Sequence, residues 1–144
     1  MTGLDALFDA ARSVRETAYA PYSRFRVGAA LCDEAGRIHA TANVENAAYP
    51  VGTCAEAGAI SALIASGARR IAGVAVVGGR RDDETGPWRL ITPCGACRQR
   101  LAEFAGPDTP VRLGSPEGVL LDTTVGALLP HAFALEETAP GDAS

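Results

Sequence analysis

A chain of 144 residues, 47% hydrophobic and 21% charged, has the length of one domain and enough apolar content to bury a core. Its net charge of −4, with 13 basic residues scattered along the chain, lacks the positive footprint that nucleic acids and anionic membranes select. A small neutral ligand suits it better. No apolar run approaches the roughly 18 residues that span a bilayer, and Met1 to Arg15 mixes acids and bases unlike a signal peptide, so the cytoplasm is the expected location.

Leu4, Leu7, Phe8, Ala11 and Val14 form an i, i+3, i+4, i+7 stripe, which predicts a first helix. Ala20-Pro21-Tyr22-Ser23 ends it. Phe25, Val27, Ala29 and Leu31 then alternate with Arg26, Gly28, Ala30 and Cys32. Past the turn residues Asp33 to Gly36, Arg37 to Thr41 resume extended structure, giving a hairpin. Ala42 to Gly52 carries Asn43, Asn46, Pro50 and Gly52 and reads as a loop. A helix follows with Thr53 as its N-cap and Gly67 as its C′ stop. It is apolar nearly all round and therefore buried.

Ile71 to Val77 is a continuous run rich in β-branched residues, the pattern of a central strand. Arg80 to Glu84 reads as a solvated loop, and Trp88 to Thr92 extends the strand pair until Pro93 closes it. Gly95 to Phe104 is a further helix with Arg98, Arg100 and Glu103 outward. Val111 to Leu113 and Val119 to Leu121 are short strands around the turn Ser115 to Gly118, and Thr123 to Leu129 is a last short helix. The order predicts an α/β fold, a three-layer α-β-α sandwich with a mixed central sheet. Residues 1–135 form the expected catalytic domain and 136–144 a flexible C-terminal tail.

There are four cysteines, Cys32, Cys54, Cys94 and Cys97. An even count permits two disulfides, but nothing else in the chain looks secreted, and metal or catalysis suits a cytosolic chain better. Cys54-Ala55-Glu56 and Pro93-Cys94-Gly95-Ala96-Cys97 each open a predicted helix. One helical turn brings Cys94 and Cys97 to one side, and Cys54 from a facing helix makes three sulfur ligands. Catalytic zinc sites use three protein ligands and leave a position for water, whereas structural sites close with four. Cys32, in a strand with apolar neighbours, is a poorer fourth. Zinc lowers the pKa of bound water towards about 7, and Glu56, two residues past Cys54, stands near enough to take and pass on its proton. A lone Cys-x-x-Cys more often means structural zinc or redox chemistry. The two fragments together match the general signature of zinc deaminases.

With Ala20-Pro21-Tyr22-Ser23-Arg24-Phe25-Arg26-Val27-Gly28-Ala29-Ala30, Asn43-Val44-Glu45-Asn46-Ala47-Ala48-Tyr49-Pro50 and Arg98-Gln99 added to those fragments, the chain resembles the small homotetrameric cytidine deaminases from about Leu4 to Phe133. The resemblance implies one zinc per chain and hydrolysis of cytidine and deoxycytidine to the uridines and ammonia, in pyrimidine salvage. Zinc-bound hydroxide would attack C4 while Glu56 shuttles protons. It further implies that Phe25 packs on the pyrimidine and that Asn43 and Glu45 hold the ribose 3′-hydroxyl. The Ala55 backbone and Glu56 would read the cytosine edge, and Tyr49 and Phe133 would help complete a neighbouring subunit's site in a tetramer. Taken alone, Phe25 would be core, Asn43 and Asn46 turn formers and Glu45 a solvated charge. His39 and His131 are read as surface or structural.

Two positions depart from the family pattern. Many relatives carry arginine directly after the glutamate, where it donates to the zinc thiolates; here it is Ala57. Either the site holds more negative charge or Arg98 substitutes. Ala134 stands where glycine often follows the phenylalanine. The rival readings are a deaminase of a modified cytosine nucleoside or of a nucleotide, and a non-catalytic zinc-stabilised homologue. Asn43 and Glu45 argue for an ordinary ribose, and Glu56 argues against the non-catalytic case.

Overall fold

The computed structural model describes residues 3–135. The first apolar stripe becomes helix α1, Leu4–Arg15, with Leu7, Phe8 and Ala11 buried. The hairpin follows as β1, Gly28–Asp33, and β2, Ile38–Ala42, paired antiparallel with Ala30 opposite Ala40. Helix α2, Ala55–Ala65, strand β3, Ile71–Val77, and helix α3, Gly95–Phe104, come next. Strands β4, Pro110–Ser115, and β5, Gly118–Thr124, and the single turn α4, Val125–Leu128, complete the order.

The strands form one sheet in the order β2-β1-β3-β4-β5. β3 and β4 run parallel, and the other neighbouring pairs are antiparallel. A parallel pair needs a crossover, and α3 lies within it. On one face α1 packs Leu7, Phe8 and Ala11 against Ala30, Cys32, Ala75 and Val77. On the other, Ala59, Leu63, Leu101 and Val125 from α2, α3 and α4 cover Ala29, Leu31, Val74, Val76, Val111 and Leu113. This is the three-layer sandwich with a mixed sheet expected from the element order. Because both faces are covered, the alternating residues of β1 go to different layers and all six are buried.

Several boundaries move, each for a local reason. β1 begins at Gly28 instead of Phe25 because the Asn43 side chain occupies the backbone ahead of it. Asn43 Oδ1 accepts from the Val27 N–H at 2.8 Å and Nδ2 donates to the Phe25 carbonyl at 2.9 Å. The N-cap of α2 is Cys54, since the Thr53 backbone pairs in both directions with Val44. Gly67, at φ +98°, supplies the left-handed stop just past that helix. Thr123 stays in β5, and the Thr124 hydroxyl caps α4 by accepting from the Ala127 N–H at 3.1 Å. Trp88 to Thr92 adds no strand. Two guanidinium groups stack over its tryptophan ring instead, Arg80 at 4.2 Å and Arg15 at 5.0 Å from the ring centroid, and Pro93 at its end has no N–H for a ladder.

The Arg80 to Glu84 segment is a surface loop laced by its own charges, with Arg81 on Asp83 at 2.9 Å. His39 is structural, its Nε2 lying 2.8 Å from the buried Asp33 carboxylate, and His131 is exposed. No helix among the described residues is long and apolar enough to cross a membrane. The tail assigned to 136–144 lies outside the described residues.

Candidate active and metal site

Two helix N-termini converge on one point. Cys54 caps α2, Cys94 caps α3, and Cys97 lies in the first turn of α3. Their sulfur atoms all lie within 4.8 Å of one another. A tetrahedral zinc with bonds of about 2.3 Å holds its sulfurs roughly 3.8 Å apart, so a small contraction closes the trio on a metal. Cys32 stays outside the cluster, buried in β1 on the α1 face with its Sγ 3.6 Å from the Asp33 carbonyl. Three thiols therefore fit zinc with a fourth position open to a ligand, the arrangement of a catalytic site.

The environment sets the three thiols apart. Burial pushes the Cys97 thiol far up and the Cys54 thiol up, with Glu56 adding to both. The Cys97 and Ala96 backbone N–H groups at the start of α3 hold the Cys94 thiol below its usual range, against a smaller effect of burial. Metal binding must displace the thiol protons.

Glu56 occupies the first turn of α2 and is only 5% exposed. Burial pushes its carboxyl above the usual range, opposed by its own backbone N–H and by the charge of Arg100. Among the described residues it has no ion-pair partner, so it is a buried acid left available for chemistry. The α2 N-terminus that carries it is fixed to the sheet by the Thr41 hydroxyl, which donates to the Ala55 carbonyl at 2.7 Å.

Beside the cysteines lies a cavity of about 270 Å³ lined by Phe25, Asn43, Ala55 and Glu56. Val27, Ile91 and Thr92 also line it, and nothing in their local pattern argued for them. Glu45 and Tyr49 face a second cavity of about 230 Å³ with Tyr22, Ser23 and Asn46. Partial burial pushes the Glu45 carboxyl up, but the Ser23 hydroxyl and the Ser23 and Tyr22 amides all donate to it and leave it below the usual range. Tyr49 is 73% exposed, its ring 5.8 Å from that of Tyr22, and Phe133 is 71% exposed and lines neither cavity. The Phe133 carbonyl accepts from Gln99 Nε2 at 3.0 Å, which ties the end of the described chain to α3.

Arg98 does not stand in for the missing arginine at position 57. Its guanidinium is taken up by the Pro93 carbonyl, the Leu128 carbonyl and the Thr92 hydroxyl, at 2.7 to 2.8 Å. The guanidinium that reaches a zinc-ligand sulfur belongs to Arg100, whose Nη1 is 3.6 Å from Cys97 Sγ. Its i+3 spacing from Cys97 was legible in the sequence; the direction of either arginine was not.

Three thiols at two helix starts, a buried glutamate and an adjoining small cavity define a zinc-dependent hydrolytic site of the deaminase class. The chain belongs to the cytidine deaminase family: the profile of the cytidine and deoxycytidylate deaminase zinc-binding region matches residues 1–112. It is 42% identical over 134 residues to a cytidine deaminase of Sporosarcina psychrophila, covering 93% of each chain. It is 43% identical over 131 residues to one of Halalkalibacterium halodurans, covering 91% of this chain and 94% of that one. Among solved structures, the cytidine deaminase of Burkholderia pseudomallei superposes with a TM-score of 0.79 at 45% identity, covering 92% of this chain and 100% of the other.

Proposed function

We propose that this chain hydrolyses cytidine and deoxycytidine to uridine and deoxyuridine with release of ammonia. The observation that carries this reading is Glu56, a buried carboxyl with no ion-pair partner among the described residues, opening on the same cavity as Cys54 and Cys94. Cys54, Cys94 and Cys97 hold the zinc, whose Lewis acidity makes water a nucleophile near neutral pH.

In this reading the Phe25 ring packs on the pyrimidine. The Ala55 carbonyl is already engaged by Thr41, so its N–H, at a helix start where no intrahelical acceptor exists, is the backbone group left for the base edge. Glu56 takes a proton from the attacking water and gives it to N3. It then transfers a second proton to the amino group as the C4–N4 bond breaks and the C4 carbonyl forms. Asn43 retains one Nδ2 hydrogen and one Oδ1 lone pair after its two backbone bonds, and Glu45, which faces the second cavity, retains acceptor capacity; both are assigned to the ribose 3′-hydroxyl. The exposed rings of Tyr49 and Phe133 are assigned to contacts with neighbouring subunits of a homotetramer with shared sites. Residues 1–135 make the catalytic domain, and cytoplasmic pyrimidine salvage is the setting that fits.

The test is conversion of the cytosine absorbance band to that of uracil by zinc-loaded protein, with Glu56→Gln as control. Wild-type turnover with a loss of roughly 10²–10⁴-fold in kcat for the variant, zinc retained, is expected for a proton-transfer residue. A zinc-loaded wild type inert on cytidine and deoxycytidine would overturn the reading. It would redirect the assignment to a modified cytosine nucleoside or to a non-catalytic zinc-stabilised homologue.

A further inference from the structure

Three thiolates around a divalent cation carry a net charge of about −1. Such a cluster gains from a cation in contact with a sulfur. Helix geometry sets side chains three apart on one face, and on α3 that relation links Cys97 to Arg100. The Arg100 Nη1 lies 3.6 Å from Cys97 Sγ, within N–H···S range. Among the described residues Arg100 forms no ion pair with a carboxylate, whereas Arg98 is held by three oxygens. The Cys97 residue is fully buried, which shields the sulfur side of the contact from water even though Arg100 itself is exposed.

We propose that Arg100 is the positioning residue of this metal site, donating to the Cys97 sulfur and offsetting the negative charge of the three thiolates. The inference rests on zinc at the cysteine trio and not on the identity of the substrate.

The test compares Arg100→Gln, Arg100→Lys and Glu103→Gln, the last an exposed change on the same helix. Zinc affinity is read by competition with a chromophoric chelator, and the sulfur environment by the thiolate-to-metal charge-transfer band of the cobalt(II)-loaded protein. Arg100→Gln is expected to hold zinc about tenfold or more weakly, with the band moved to lower energy as the sulfur loses its donor. It should also lower kcat for the deamination with little change in KM. Arg100→Lys should lie nearer the wild type and Glu103→Gln should match it. Unchanged zinc affinity and an unmoved cobalt band in Arg100→Gln would overturn the proposal, as would an Arg100→Lys protein no better than Arg100→Gln. Because both metal readouts are independent of turnover, they separate this inference from the choice of cytidine as substrate.

Discussion

Asn43 joins the fold to the site, and Asn43→Ala tests that link. Its side chain accepts from Val27 N–H at 2.8 Å and donates to the Phe25 carbonyl at 2.9 Å, both partly buried. Alanine removes both partners and leaves a donor and an acceptor unpaired, at about 1–3 kcal/mol each. The adjoining cavity lets water reach part of that backbone, which favours the lower half of the range, or about 2–4 kcal/mol in all. A domain's whole stability is about 5–15 kcal/mol. At about 3–4 °C per kcal/mol for a chain of this size, the expected fall in Tm is roughly 6–16 °C. Urea unfolding at fixed protein concentration, with zinc present, gives the free energy directly. Phe25, whose backbone Asn43 holds, lines the pocket, so kcat/KM for cytidine should fall as well. Asn43→Asp keeps an acceptor for Val27 N–H but sets an oxygen against the Phe25 carbonyl, and should recover no more than half the loss. An unfolding free energy for Asn43→Ala within about 0.5 kcal/mol of the wild type would refute the clamp and leave Asn43 with a role in ligand binding alone.

Gly58 lets α2 approach β2, and a Cβ there would sit 2.6 Å from Thr41 Oγ1. Gly58→Ala should displace the Thr41 hydroxyl from the Ala55 carbonyl, cost about 1–3 kcal/mol and lower kcat; an unchanged urea midpoint would count against this. Asp33 gives acid sensitivity: burial raises its carboxyl, but donors from His39, Arg37 and Ala35 outweigh this and hold it at about 2, against 3.8 in the unfolded chain. Its folded pKa is depressed, so its contribution of about 2 kcal/mol is present above pH 4 and is lost as pH falls from about 4 to 2. Asp33→Asn should flatten that part of the stability–pH curve, and a curve of unchanged slope would remove the assignment.

Sequence by itself determined what depends on near neighbours in the chain. The stripe from Leu4 to Val14 set α1, the apolar run Ile71–Val77 set β3, and α3 fell on Gly95–Phe104 as its pattern required, because periodicity and end signals act over one or two turns. The Cys-x-Glu and Cys-x-x-Cys fragments likewise carried the three thiols that could hold a metal ion and the buried glutamate beside them. Tertiary structure alone decided the rest. Convergence of Cys54 on the Cys94–Cys97 pair depends on the packing of α2 and α3 over one face of the sheet, which no local spacing encodes. Cys32 is excluded because β1 turns it to the opposite layer. The side chain of Asn43, 16 residues beyond Val27, replaces strand pairing that the alternation alone would have extended to Phe25. Stacking of Arg15 and Arg80 over the ring overrode the extended pattern at Trp88. Two outward arginines on one helix looked alike in sequence; their surroundings sent Arg98 to three oxygens and Arg100 to a sulfur. Each of these outcomes turns on contacts between residues far apart in the chain, whose energies exist only once the layers have packed.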